Sequence, residues 1–499
     1  MVLSATVHSL NVDVMNKNKI TLIAALLTLS VSAYSQGINS TNEGASGFWG
    51  AFNNYQPDGG KAVAAQENDG LVSTPATRRI GNQHNGMNDN AWWSMIHDAV
   101  MYHPSIRSEI ATLDAAGFNI DVAAAGYLPT LSAGVTSGRQ QDEASGHIAT
   151  VGLSQMLYDF GKTGSTVDEA TAKYIEQKSG VLEQIDDIVR KTALTLNEAH
   201  RYRQLLDIAE QHVLAVNDVW QLTQLRAEAG ASSSIDPIQA DARVKEAQAG
   251  AHNAAIKLQQ QEEQLAFLLG YRQPAQAIPS PAEVFTRALP TDVDASLNPT
   301  LLKAQAELAV AQAGLRNAKA QNYPTVSLEM NSNRYLGDIS HYQSHDHYNN
   351  VYVSVSGKLY QGGALQAQQN ASASALAAAK TNIEKVRLSI ADEQRGYLTR
   401  IDGLQRNIEI LSGRLETIIR TRELYKMQYL SLGTRNVLDL LNAEQEISRS
   451  QQDLINARHD LWNAAIGYLA SSGLARRYFG LENSSLGGFT IEAAQSERK

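Results

Sequence analysis

The 499-residue chain has no cysteine, which excludes disulfide frameworks, thiolate zinc sites, cysteine nucleophiles and a lipid-modified N-terminal cysteine together. It has no run reaching the ~18 apolar residues of a membrane-spanning helix, so it is not a helical membrane protein. A β-barrel passes the same test, because barrel strands need only alternate residues apolar. Positive charge is short: 42 Lys+Arg against 51 Asp+Glu leave a net charge of −9, with no basic run beyond Arg476-Arg477, which argues against a nucleic-acid partner. Catalytic patterns are missing too. No nucleophile turn, no Gly-rich phosphate loop after a strand and no carboxylate pair of distinctive spacing is present, so no catalytic residue, cofactor or resident metal is predicted. At ~150 residues per domain the length fits about three ordinary domains or one large repetitive one.

Met15-Asn16-Lys17-Asn18-Lys19, then apolar Ile20 to Val31, then small Ser32-Ala33-Tyr34-Ser35, is the layout of a secretory signal, with residues 1–14 as an upstream extension. A signal peptide is therefore expected at 1–35, followed by an irregular Gly-, Asn-, Ser- and Gln-rich segment at 36–90.

The eleven prolines are unevenly placed, with none between Pro129 and Pro237 and none after Pro324. Such tracts, rich in Ala, Leu, Gln and Glu, permit very long helices. The prolines also reveal a duplication. His103-Pro104-Ser105-Ile106 matches Asn298-Pro299-Thr300-Leu301, and Tyr127-Leu128-Pro129-Thr130 matches Asn322-Tyr323-Pro324-Thr325, each 195 positions on. Leu157-Tyr158-Asp159-Phe160-Gly161 matches Leu359-Tyr360-Gln361-Gly362-Gly363 at 202, and Gly230 through Asp236 matches Gly433 through Asp439 at 203. Ordered matches with a slowly growing offset predict repeats at 91–270 and 298–472, with a linker at 271–297 and a tail at 473–499.

Within each repeat the hydrophobic period changes. Leu131, Ala133 and Val135 alternate with polar or small residues, as do Ala149, Val151 and Leu153; Val326, Leu328 and Met330 then Val351, Val353 and Val355 do so again. These predict hairpins at about 130–157 and 325–360, each with one apolar and one polar face. A soluble sheet over a core and an outer-membrane barrel wall both fit that pattern; the secretory signal and the adjoining long helices favour the wall. Four strands cannot close a barrel, whereas three copies supply twelve. Helical hairpins are expected at about 162–270 and 364–472, the tract between Gly161 and Gly230 alone giving about 100 Å of helix. Ile390, Tyr397, Leu404, Leu411 and Ile418 interleave at heptad spacing with Ile401, Ile408 and Leu415. Ala240, Val244, Ala247, Ala251, Ala254 and Leu258 follow the same rule, as do Leu440, Ile447, Leu454 and Leu461 with Ala443, Ser450, Ala457 and Ala464, which suits close antiparallel helix packing. Asp236-Pro237 and Asn298-Pro299 read as N-cap and first helical residue.

This order of short helix, hairpin, very long helix, tight tip and return helix, with Asn298-Pro299, Tyr323-Pro324, Leu157 to Gly161 and above all Leu432-Gly433-Thr434-Arg435-Asn436-Val437-Leu438-Asp439, resembles the TolC family of outer-membrane efflux and secretion channels over about residues 90–472. The resemblance implies an α+β membrane protein: a homotrimer whose twelve-stranded barrel, four strands per chain, meets outer-membrane lipid and continues into a periplasmic helical barrel. It also implies a periplasmic adaptor on the hairpin tips Gly230, Ala231, Gly433 and Thr434, and an ABC or RND-type inner-membrane transporter. Leu157 to Gly161 and the ending Leu474 to Leu481 look more like type I protein-secretion ducts than drug or metal efflux ducts. A periplasmic coiled-coil adaptor, or an envelope enzyme, is the rival class.

By the same resemblance Asp236, Arg435, Asp439 and Asn442 form the periplasmic gate. Three copies of Asp439 about an axis attract cations as acidic rings do, and Asn442 replaces a second ring carboxylate, halving the charge. Asp236 and Asp439 equally fit plain helix caps. His341, His345 and His347 fit either a metal cluster or a solvated loop. Tyr127, Tyr158, Tyr323 and Tyr360 fit an aromatic girdle or a barrel-to-helix junction.

Overall fold

The computed structural model describes residues 91–138, 146–272, 278, 280–281, 298–336, 347–432 and 435–491. The expected leader, the 36–90 segment, most of the linker, Gly433, Thr434, His341 and His345 lie outside them.

The first repeat runs α1 (Ala91–Tyr102), α2 (Pro104–Ala124), a 3-10 turn (Ala125–Tyr127), β1 (Thr130–Gly138), β2 (Gly146–Tyr158), α3 (Lys162–Glu228) and α4 (Ile235–Leu269). The second runs α5 (Pro299–Ala320), β3 (Thr325–Leu336), β4 (His347–Ser356), α6 (Ala364–Met427), a π turn (Gln428–Leu432) and α7 (Val437–Ser471). A short α8 (Ala475–Tyr478) and a two-rung ladder of β5 (Ser485–Leu486) and β6 (Phe489–Thr490) follow. The proline-free tracts become the 67-residue α3 and the 64-residue α6, each about 100 Å long.

The shorter helices lie along these two. Asn298 shows how two of them meet: its Oδ1 caps α5 by accepting from Thr300 N at 2.9 Å, while its Nδ2 donates to Ser471 O at the end of α7, 2.7 Å away. One buried amide thus satisfies orphan groups at both helix ends. His103 holds the matching place in the first repeat, its Nδ1 accepting from Ser105 N at 3.3 Å and its ring edge-on to Phe267. Burial, then Lys191, keep this imidazole below its ordinary pKa despite Asp187, preserving the neutral acceptor. Left-handed Gly270 (φ 77°) and Gly473 (φ 70°), 203 positions apart, end α4 and α7 and extend the duplication.

Helix α3 packs against α2, α4, α5 and α7, whereas α6 packs chiefly against α5 and α7. The predicted heptad stripe is the covered side of α6: Ile390, Tyr397, Ile401, Leu404, Ile408, Leu411, Leu415 and Ile418 are buried or half-buried, yet Ile390 alone in the helix is fully so. Leu388 and Ile410 stay 72% and 70% exposed on other faces. Gly467 of α7 lets the Tyr397 ring lie against the helix, where a Cβ would overlap it.

The main core gathers Trp92, Ile96 and Ile106 with Ile185, Leu196 and Leu265, and the C-terminal segment adds Phe479, Leu481 and Ile491. That segment is fastened, not trailing: Trp93 Nε1 donates to Tyr478 O at 3.1 Å and Arg476 pairs with buried Asp186 of α3. Seams between long helices also carry polar pairs, with Asn197 Nδ2 of α3 donating to His459 O at 2.9 Å and Arg201 reaching Asp460 at 2.5 Å. Burial first, then His200 and Arg201, push His459 well below its ordinary pKa, so it packs as a neutral ring.

The four long strands form one antiparallel sheet in the order β1-β2-β3-β4, so the two predicted hairpins join side by side through β2 and β3. Edges β1 and β4 have no partner strand among the described residues.

Asn298→Ala removes both the cap and the donor to Ser471 O. Amide exchange at Thr300 to Leu302 should rise about tenfold or more, since a lost cap and an unsatisfied carbonyl each cost about 1 kcal/mol or above. Asn298→Asp, which keeps the acceptor, should restore only part of the protection.

Candidate functional site: the sheet faces and the helical tips

The strand register sorts side chains onto two chemically distinct faces. Leu131, Leu153, Met330 and Val351 align across all four strands, flanked by Leu328 with Val353, Val326 with Val355, and Ala133 with Val151. The opposite face carries Ser132, Thr150, Ser154, Glu329, Asn331, Asn333, Asn350 and Ser354. Hydrogen bonds knit this polar face, with Thr150 Oγ1 donating to Asn333 Oδ1 at 2.8 Å and Ser154 Oγ to Glu329 Oε1 at 3.3 Å. The apolar face is mostly bare, apart from Gln155 Nε2 donating to Tyr127 O at 2.8 Å near its helical end. Leu131, Val135, Val351 and Val355 are 73%, 67%, 63% and 59% exposed there. A sheet bare on its apolar side and hydrogen-bonded on its polar side is built for lipid outside and water inside.

Two elbows turn strands into helices. In the first, a bulge at Leu157 ends β2, and buried Asp159 then accepts from Gly161 N at 3.0 Å and Thr163 N at 2.6 Å, capping α3. Burial alone would raise the Asp159 carboxyl, but the Thr163 and Gly161 hydrogen bonds and Lys162 together hold it below its ordinary range. Phe160 takes a left-handed φ of 57°, uncommon for a bulky residue, and its ring stacks on Tyr323 at 5.1 Å and meets Tyr158 edge-on at 4.7 Å. In the second elbow Gly362 (φ 60°) occupies that position and Gly363 (φ 84°) matches Gly161 (φ 86°). The elbow motif is thus a backbone requirement. Tyr158 and Tyr323 join the junction cluster, and Tyr360 stays 85% exposed.

At the far end, a second core joins the two hairpin tips: Val216, Val219, Ala240 and Val244 of the first pack with Tyr429, Val437, Leu440 and Leu441 of the second. Arg435 holds the second tip together, its Nε donating to Gln428 Oε1 at 3.2 Å, its Nη1 lying 3.5 Å from Asp439 Oδ2 and its guanidinium 4.5 Å over the Tyr425 ring. Arg226 of α3 lies 4.7 Å over the buried Tyr429 ring and donates to Ala231 O at 3.4 Å. Burial, reinforced by Asp236 and opposed by Arg226, holds the Tyr429 phenol above its ordinary pKa. Arg226, Asp236 and Tyr429 therefore form one cross-hairpin group, and Arg435, Asp439, Tyr425 and Gln428 another. Gly230 (φ 67°) makes the first tip, and Asn442 is exposed one turn after Asp439.

The family model described as "Outer membrane efflux protein" matches residues 95–271 and 295–473, one segment for each repeat. The chain belongs to the outer membrane efflux protein family. Among its relatives, the outer membrane efflux protein BepC of Brucella suis is 22% identical over 71% of this chain and 79% of its own length. The outer membrane protein TolC of Escherichia coli is 24% identical over 72% of this chain and 78% of its own. The crystal structure of CusC superposes with a TM-score of 0.70 at 18% identity, covering 79% of this chain and 95% of that one, and shares its fold. As an efflux-family channel the protein resides in the outer membrane and extends into the periplasm. It is a channel and not an enzyme.

Two local expectations need correcting. Asp236 is not an N-cap: α4 begins at Ile235, with Ser234 in the capping position, because Asp236 N is already engaged by Ser233 O at 3.1 Å and Asp236 falls in the first helical turn. Asp439 is not a cap either. Asn436 Oδ1 accepts from Asp439 N at 2.8 Å, leaving the Asp439 carboxylate for Arg435. Sequence reasoning missed Arg226, Tyr425 and Tyr429; two tyrosines one turn apart, ahead of Arg435, were the available signal.

Asn436→Ala should raise amide exchange over the first turn of α7 about fivefold, as loss of an N-cap costs about 1 kcal/mol. Asp439→Asn, which leaves that cap in place, should not.

Proposed function

We propose that three copies of this chain assemble into the outer-membrane exit duct of a tripartite export system, passively conducting cargo delivered by an inner-membrane ABC or RND-type transporter. The observation that carries this reading is the four-stranded sheet, apolar on one face and polar on the other, with both edges unpaired among the described residues. Backbone N–H and C=O groups cannot be left open in hydrocarbon, so the edges require strands from neighbouring copies. The sparsely buried α6 supports the same assembly, since its unburied apolar faces need helices that the described residues do not supply.

In this reading a periplasmic adaptor docks on the tips at Gly230, Ala231, Gly433 and Thr434. Asp236, Arg435, Asp439 and Asn442, with Arg226 and Tyr429 now added, close the periplasmic mouth: the arginine contacts hold the tips, and three Asp439 carboxylates line the entrance. The cargo is protein, as in type I secretion. Support comes from the elbow Leu157 to Gly161 and from the fastened ending Leu474 to Leu481. Small-molecule efflux is the second reading, favoured by the efflux assigned to BepC.

Extracted from membranes, the protein should migrate as a heat-modifiable trimer; a monomer under all conditions contradicts the assembly. Asp439→Ala should alter single-channel conductance and weaken block by divalent cations in planar bilayers, and unchanged traces remove Asp439 from the gate. Deleting the gene should abolish secretion of surface or extracellular proteins with little change in drug sensitivity, the reverse outcome selecting small-molecule efflux.

A further inference from the structure

The two ends of the apolar sheet face differ in chemistry. At the helical end stand the rings of Tyr158, Phe160 and Tyr323. At the distal end, on the same face, the register sets Arg334 opposite His347 and beside Ala149, with His147 two residues further along β2 opposite Leu336. These are the described strands' basic side chains, and all three are exposed. The strands' one carboxylate, Glu329, points to the other face, so no acidic group of the described strands shares theirs. Eight residues separate Val326 from Arg334, about 26 Å along the strand and about 20 Å of depth at a tilt near 40°. In the proposed barrel that places Arg334 and the two imidazoles at the outer boundary of the apolar band, facing outward.

We propose that Arg334, His147 and His347 form a phosphate-binding platform for the phosphorylated glycolipid of the outer leaflet, one per chain. The inference rests on the proposed trimeric barrel, which puts the apolar face against lipid and the strand ends furthest from the helices at the cell exterior. A cation at the edge of hydrocarbon needs an anion or water, and the guanidinium fork matches phosphate oxygens in pairs. Ser332 and Asn349, the next polar residues on this face, offer hydroxyl and amide groups for the sugar below the phosphate. The acyl chains then lie along Val351, Met330, Leu153 and Leu131.

The test uses full-length protein purified from outer membranes, with native mass spectrometry of the trimer after exchange against bisphosphorylated lipid A, dephosphorylated lipid A or phosphatidylglycerol. The wild-type trimer should retain bisphosphorylated lipid A about tenfold better than the dephosphorylated form or phosphatidylglycerol, in keeping with charge-assisted hydrogen bonds. Arg334→Gln with His147→Gln and His347→Gln should abolish that preference while the heat-modifiable trimer persists, and Arg334→Lys should keep part of it. Equal retention of all three lipids, or full retention by the triple variant, overturns the platform. A chain that forms no trimer overturns the barrel reading, and this inference with it.

Discussion

Among the described residues both edges of the four-stranded sheet lack a partner strand, and that constraint governs the account of this molecule. In water an edge strand is tolerable, but within hydrocarbon every backbone donor and acceptor must find a partner, and only closure supplies one. Edges β1 and β4 cannot meet each other, since the sheet is too narrow to curl shut. In the proposed trimer a single chain is therefore an arc, closed by copies of itself.

The same dependence extends into the helices. Duplication gave both repeats the same elbow, long helix and return helix, but burial is unequally shared: α3 sits among six helices with eighteen buried residues, while α6 buries Ile390 alone. The asymmetry makes sense if α6 borders the neighbouring chain. Differences between the repeats fall where backbone geometry can be met in two ways. Phe160 and Gly362 hold the same left-handed turn, one anchored by rings and one free of a side chain, and His103 and Asn298 cap the same helix start with different acceptors.

Much of the architecture was legible because it is periodic. Proline spacing marked the duplication, alternation marked the strands from Thr130 to Ser356, and heptads marked the seams now seen at Ala240, Val244, Leu440 and Ile447. Contacts across sequence were not legible. Nothing local predicts Arg226 over Tyr429, which depends on how two hairpins meet, nor the Asn298 bridge to Ser471. Asp236 was misplaced as a cap because Asp-Pro imitates the pattern, while Ser233 and Ser234 upstream compete for the start of the helix. The pairing of Arg334 with His347 follows from register, which the strand sequences do not set by themselves.

Absence of cysteine gives a clean background for testing closure. Ala133→Cys on β1 combined with Val353→Cys on β4, treated in intact cells with a membrane-permeant, thiol-reactive bis-maleimide of about 8 Å reach, reports on the edges directly. Within one chain these strands stand three spacings apart, about 14 Å, beyond that reach. The account predicts covalent dimers and a covalent trimer from the double variant, and no trimer from either single variant. Cross-linked protein that remains monomeric would contradict it.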